Sequence, residues 1–232
     1  MLCSCQASAK KIRVVIDPIW PPFETLDEKT GQPVGFDLDL INAIAQKENL
    51  QIEFVTAPFN TALDGLSNCQ YDAAISAITI TDELKKTMLF SDPYFAAGQI
   101  VTVNIHTKDI KSKDDLGGKS LGALAGTAGA IEAKKIPDAK YLVYDALDQA
   151  FLDVISGRID AVITDHLSAI GFVSDSPTDL KTVGPVFTDE NYAVAVCNQE
   201  PDLLATINRG LAAVKSDGEL DQLVKKWLAV AR

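Results

Sequence analysis

The sequence predicts an α/β protein built as two similar lobes with a cleft between them. Three observations carry this. Apolar strands and amphipathic helices run in the order β-α-β-α-β from residue 12, and the same order returns from residue 119. The two units also echo each other at residue level. L-S-N-C-Q-Y-D-A-A-I-S (66–76) and V-I-S-G-R-I-D-A-V-I-T (154–164) are each a helix exit, a turn and an Asp-Ala strand.

The elements follow in order. I-R-V-V-I (12–16) is a β-branched strand ending at Asp17-Pro18, and the corner I-W-P-P-F-E (19–24) is rigid and aromatic. After a turn marked by Gly31 and Pro33, residues 36–49 place Leu40, Ile41, Ile44 and Ala45 on one helical stripe. Strand 52–56 and helix 61–66 lead to the stretch that organises the chain, Tyr71 to Phe95. Its apolar run Ala73–Ile78, interrupted only by Ser76, reads as a strand buried on both faces. Thr79, Thr81, Asp82 and Glu83 then suit a polar corner and the first turn of a helix, which Ser-Asp-Pro-Tyr (91–94) breaks. Such a corner lies at the carboxyl end of a strand, where open α/β sheets bind ligands.

In the second unit, 119–125, 141–144 and 159–165 are strands, G-T-A-G (126–129) opens a helix, and 146–156 is another. Two strands stand outside the units: F-A-A-G-Q-I-V-T-V-N (95–104) between them and N-Y-A-V-A-V-C (191–197) after them. They read as extended crossings that form a hinge. The amphipathic helices 201–215 and 219–228 return to the first lobe.

Composition bounds the function. A net charge of -11 argues against nucleic acid, since phosphate binding needs clustered Lys and Arg. No apolar run approaches the roughly 20 residues of a membrane helix. No cofactor motif or metal-ligand spacing is present, and G-T-A-G lacks the Gly-Lys-Ser/Thr ending of a phosphate loop. Cys69 and Cys197 are open to two readings, a disulfide in an exported protein or two small buried thiols. Leu2-Cys3-Ser4-Cys5 resembles a bacterial lipobox, in which Cys5 would be acylated on a chain starting inside a trimmed signal peptide; a free thiol tail is the alternative.

Taken together, P-P-F-E, G-F-D-L-D-L, Y-D-A-A-I-S-A-I-T-I-T-D-E, F-S-D-P-Y, G-T-A-G, G-R-I-D-A and D-G-E-L-D-Q-L-V-K-K-W occur in an order that resembles the extracytoplasmic solute-binding proteins for polar amino acids (family 3), over residues 11–230. The resemblance implies a periplasmic-binding-protein type II clamshell with a two-strand hinge. Residues 1–10 would be a tail, 11–95 plus 196–232 the first lobe, and 96–195 the second lobe with the hinge strands. It implies a monomeric, non-catalytic receptor at the periplasmic or extracellular face of the membrane, possible lipid attachment falling to Cys5. The receptor would deliver an amino acid or cationic amine to an ABC permease, without a cofactor.

Matched position by position, the family's pattern puts Asp17 and Glu24 in the cleft as acids, with Trp20 and Phe59 sandwiching the ligand's aliphatic or cationic part. Ala77, Ile78 and Thr79 would face its polar end, and Thr127, Ala128 and Gly129 would present N–H groups to a carboxylate. Asp165 would accept the α-ammonium. On composition alone, Trp20 and Phe59 read as core residues, Asp17 as a strand-ending turn residue and His166 as a surface histidine.

One departure stands out. The family's T-x-x-R pattern ends in an arginine that grips the ligand's α-carboxylate, and here the stretch is T-D-E-L, with Leu84 in its place. Leu124, where some relatives carry lysine, is also apolar. The expected ligand therefore keeps an amine or quaternary nitrogen and carries little negative charge. The alternatives are an enzyme similar to cyclohexadienyl dehydratase, with Glu24 as its acid, and a ligand-sensing receptor domain.

Overall fold

The computed structural model describes residues 11–228. The lipobox reading of Leu2–Cys5, with Cys5 as its lipidation site, lies outside them. The first lobe begins with β1 (Lys11–Ile16), β2 (Thr25–Leu26), β3 (Pro33–Val34), α1 (Phe36–Glu48), β4 (Gln51–Thr56), α2 (Phe59–Ser67), β5 (Ala73–Ala74), a 3-10 turn at Leu84–Lys86 and β6 (Met88–Phe90). The chain crosses in β7 (Phe95–Ala97). The second lobe holds β8 (Gln99–Asn104), a 3-10 turn at Lys113–Asp115, β9 (Ser120–Leu124), α3 (Ala128–Lys134), β10 (Lys140–Tyr144), α4 (Leu147–Ile155), β11 (Ala161–Asp165), α5 (His166–Asp175) and β12 (Leu180–Val183). It returns through β13 (Glu190–Tyr192) to β14 (Ala195–Cys197), α6 (Pro201–Ser216) and α7 (Glu219–Trp227).

The two five-stranded sheets have the orders β4-β1-β5-β14-β6 and β10-β9-β11-β8-β12. In each, the β-α-β-α-β unit supplies three parallel strands joined by helical crossovers, and two further strands extend one edge by antiparallel pairing. β7 and β13 pair antiparallel with each other outside the two sheets, Phe95 opposite Tyr192, and form the hinge ribbon. This is a two-lobed type II clamshell.

α1 forms where Asp37 and Asp39 favour the helix amino end and Lys47 the carboxyl end, and left-handed Asn49 (φ 53) stops it. Its apolar stripe, Leu40, Ile41 and Ile44, packs with Val14, Ile16, Ile207 and Leu211 into the core on one face of the first sheet. Each such side chain contributes about 1.5–3 kcal/mol when buried. A second cluster starts on the opposite face, at Val15 and Leu66, and continues through Phe59 to Leu124, Phe151 and Val162 of the second lobe. The lobes are therefore in contact. Cys69 and Cys197 form a disulfide, Cα–Cα 5.2 Å, that ties the turn after α2 to β14.

Several boundaries differ from the sequence reading. The strand expected over 73–78 pairs only at Ala73 and Ala74, because Ala77 is turned into the left-handed region (φ 46) with its N–H donated to Asp37 Oδ2 at 2.7 Å. The helix expected after it is a single 3-10 turn. Both expected crossing strands break, 95–104 at Gly98 and 191–197 at residues 193–194, so each splits into a hinge piece and a sheet piece. Strands β6 and β12 and helix α5 are additions to the sequence reading. His166 begins α5, is half-buried and stacks on Phe95 (centroids 6.5 Å), so it is not a surface histidine.

Candidate ligand-binding cleft

The cleft opens where strand carboxyl ends of both lobes face each other. From the first lobe, Trp20, Phe59, Ala77, Thr79, Thr81 and Leu84 line a narrow cavity; Gly126, Thr127, Ala128 and Asp165 close it from the second. That space has room for little more than a water molecule. The lobes approach closely at its rim: Gly126 (φ +74) meets Asn60 of α2, and a Cβ there would overlap the Asn60 Oδ1. Gly126 thus serves two needs, a left-handed backbone and room for the opposite lobe.

Trp20 and Phe59 form one wall. Their rings touch directly, centroids 5.5 Å apart and tilted 58°, which leaves no space for a ligand between them; the expected sandwich is replaced by a shared apolar surface. Asp17 lies behind this wall. Its Oδ2 accepts the Phe59 N–H at 2.9 Å, so it holds the first turn of α2, and burial raises its pKa to about 6 against the opposing bond from Phe59.

Glu24 is deeper still. It is fully buried and absent from the cavity lining, with its Oε1 accepting the Ser76 hydroxyl and the Asp17 N–H (3.3 Å). Burial, then the neighbouring Asp37 charge, pushes its pKa well above the carboxylate range. Asp37, equally buried, is raised to about 7 by burial, against the hydrogen bond from the Ala77 N–H. These two acids, beneath the wall, fix the turn that presents Ala77 to the cavity. The expectation that Glu24 faces the cleft is thus corrected: the corner I-W-P-P-F-E folds it inward.

Ile78 is also buried, its carbonyl taken by the Ala193 N–H at 3.1 Å, while Thr79 turns to the cavity and bridges to Tyr192 of the hinge. On the second lobe, Thr127 caps α3: its hydroxyl accepts the Ala130 N–H at 3.2 Å and donates to Leu124 O at 2.8 Å. Gly129 stands one layer back, where a Cβ would lie 2.6 Å from Ile163 O and 2.9 Å from Gln99 Oε1. Leu124 is buried in the core. Asp165 ends β11 with its Oδ1 accepting from Gln99 Nε2 at 3.0 Å; burial foremost, and the Glu190 charge, raise its pKa to about 7, against bonds from Tyr192 and Gln99.

The electrostatics are one-sided. Leu84 puts an apolar side chain in the cavity, and none of the lining residues is Lys or Arg. Outside it a wider cavity, sharing Thr79, Thr81 and Ala128, is lined by Asp82, Glu83, Glu132, Asp189 and Glu190 against one lysine, Lys135, which pairs with Glu132 (2.5 Å). The sequence reading missed Thr81, Gly126, Gln99 and Glu190. Gln99 had a signal, an amide at the start of an otherwise apolar stretch; Glu190, in T-D-E-N-Y, looks like any solvated acid. Among the described residues no group of His, Cys, Asp and Glu is placed to hold a metal ion, and no helix is long and apolar enough to cross a membrane.

Comparison with known proteins agrees with this architecture. The family model of bacterial extracellular solute-binding proteins, family 3, matches residues 12–230. A probable histidine-binding protein of Neisseria gonorrhoeae is 33% identical over 95% of this chain and 84% of its own length. The ABC transporter glutamine-binding protein GlnH of Bacillus subtilis is 34% identical over 89% of this chain and 77% of its own. Among solved structures, an ancestral arginine-binding protein bound to arginine superposes with a TM-score of 0.89 at 38% identity, covering 94% of this chain and 97% of its own. The chain belongs to the bacterial extracellular solute-binding proteins, family 3.

Proposed function

We propose that this chain is the receptor of an ABC importer, and that it captures a small amine with little or no carboxylate character. One observation carries the reading: Leu84 lines the cleft at the position where the family's T-x-x-R pattern puts its carboxylate-gripping arginine, while the buried acid Asp165 keeps its place. A relative named for histidine, one named for glutamine and a neighbour bound to arginine support an amine-bearing solute. In this reading the segments 11–95 plus 196–232 and 96–195 move as two bodies about the hinge ribbon. Closure brings Trp20, Phe59, Ala77, Thr79 and Leu84 onto a solute held by Asp165, Thr127 and Ala128, and the closed monomer docks on the permease outside the cytoplasmic membrane. The burial of Glu24 behind the wall supports binding over catalysis, since a general acid must reach the reacting atoms.

The test is a thermal-shift panel in matched pairs, arginine against agmatine and histidine against histamine, which differ only in the carboxylate. A ligand at a hundredfold its Kd adds about 2.7 kcal/mol of stability, so binders separate clearly from non-binders. Agmatine or histamine is expected to raise the melting temperature more than its parent amino acid. Larger shifts from the amino acids overturn the reading.

A further inference from the structure

The hinge carries a carboxylate that joins both lobes at the cleft. Glu190 opens β13, and its Oε2 accepts from Thr79 Oγ1 of the first lobe at 3.1 Å and from Gln99 Nε2 of the second at 3.0 Å. The same Nε2 also donates to Asp165 Oδ1 at 3.0 Å, so one amide nitrogen holds the two acids side by side. Gln99 is wholly buried, and its Oε1 has no partner among the described residues. Neither Asp165 nor Glu190 has a Lys or Arg ion-pair partner among the described residues. Thr79 lines both the inner cavity with Asp165 and the outer one with Glu190, which places Glu190 where the two spaces meet. Two adjacent carboxylates and a spare amide oxygen, without a cation, form a receptor for one.

We propose that Glu190 is a second counter-charge for the ligand's nitrogen, shared with Asp165, and that the ligand therefore carries a primary ammonium rather than a quaternary one. This rests on the reading that an amine docks at Asp165. A primary ammonium has three N–H donors to divide among neighbouring acceptors, whereas a quaternary nitrogen has none and leaves buried acceptors unsatisfied. Protonation fits the same picture. Asp165, with a pKa of about 7, faces Gln99 on β8 and Glu190 and Tyr192 on β13; His166 at the start of α5, whose own pKa burial lowers, feels the charge of Glu190. An arriving ammonium displaces the proton that Asp165 holds below pH 7. About one tenth of the protein is ready at pH 6 and nine tenths at pH 8, so binding tightens roughly tenfold across that range.

The experiment titrates agmatine calorimetrically into wild type, Glu190→Gln and Asp165→Asn at pH 6 and pH 8. Glu190→Gln can keep an oxygen toward Thr79 and Gln99 but removes the charge. It is expected to weaken agmatine at least tenfold at pH 8 and to flatten the pH dependence, with Glu190→Asp recovering part of both. A purely structural brace would leave the affinity at pH 8 unchanged in Glu190→Gln, and that result overturns the inference whatever the pH dependence does, since loss of the Glu190 charge lowers the Asp165 pKa in either case. Loss of binding in Asp165→Asn alongside unchanged Glu190→Gln refutes only the role of Glu190. Undiminished binding in Asp165→Asn, or none in wild type, refutes the amine reading and this inference with it. A second measurement needs no variant: wild type should bind agmatine at least tenfold tighter than its analogue trimethylated on the primary amine, and equal affinities overturn the inference.

Discussion

Restoring the arginine at position 84 asks the most of this account. Leu84 sits in a one-turn 3-10 segment, half-buried at the edge of the inner cavity, with its N–H donated to Thr81 Oγ1 at 3.2 Å. Leu84→Arg leaves that backbone bond intact and introduces a cation where no lining side chain supplies one. The neighbouring Asp82 is fully exposed and Glu83 pairs with Lys86, so solvent screens both and neither captures the guanidinium strongly. A bidentate, charge-assisted pair with a ligand carboxylate contributes about 1.5–3 kcal/mol, or roughly 10- to 150-fold in affinity. The assay is a four-way calorimetric cycle, arginine and agmatine against wild type and Leu84→Arg. The variant is expected to tighten arginine by that factor and to leave agmatine unchanged or weaker. A coupling below about 0.5 kcal/mol refutes the reasoning, because residue 84 would then not meet the ligand's carboxylate.

Three further outcomes follow from the same geometry. The buried acids Glu24 and Asp37 hold protons more tightly folded than unfolded, so the stability they contribute is present near pH 4 and falls as pH rises toward the Asp37 value of about 7. Each such proton changes stability by about 1.4 kcal/mol per pH unit in that window, and Asp37→Asn should show a shallower loss between pH 5 and pH 8 in denaturant melts than wild type. An unchanged slope contradicts the assignment. Gly126→Ala should weaken agmatine at least tenfold, because the added Cβ overlaps Asn60 of the opposite lobe, and should also lower the stability of the ligand-free protein by about 1–2 kcal/mol, because alanine is strained in the left-handed region; an unchanged agmatine affinity would contradict the rim contact. Cys69→Ser removes a crosslink spanning 128 residues and should cost about 2–5 kcal/mol in chemical unfolding, with wild type falling to the same value under reductant.

Much of the architecture was legible because it rests on local pattern. The β-branched run at 12–16, the stripe Leu40–Ile41–Ile44 and the repeated Asp-Ala strands bury themselves in the way their periodicity demands, and the two sheets follow from the repeated order. What escaped depends on contacts made far along the chain. Ala77 leaves the strand because a carboxylate 40 residues earlier takes its N–H, and nothing in A-A-I-S-A-I announces that. Glu24 belongs to a motif that matched the family, yet its neighbour in space is Asp37, which turns a presumed ligand contact into a buried brace. Trp20 and Phe59 were identifiable as cleft aromatics, but only coordinates reveal that their rings touch. Glu190 and Gln99 acquire meaning solely through the hinge, which brings residues 91 positions apart within 3.0 Å.

The central claim is that a retained ammonium site without its carboxylate partner sets the ligand class. Calorimetric titration of wild-type protein with arginine and with agmatine, in one buffer at pH 8, tests it most directly. The account predicts that agmatine binds at least tenfold tighter. Arginine binding as tightly as agmatine, or more so, would contradict it, and would mean that this cleft holds a carboxylate without the arginine.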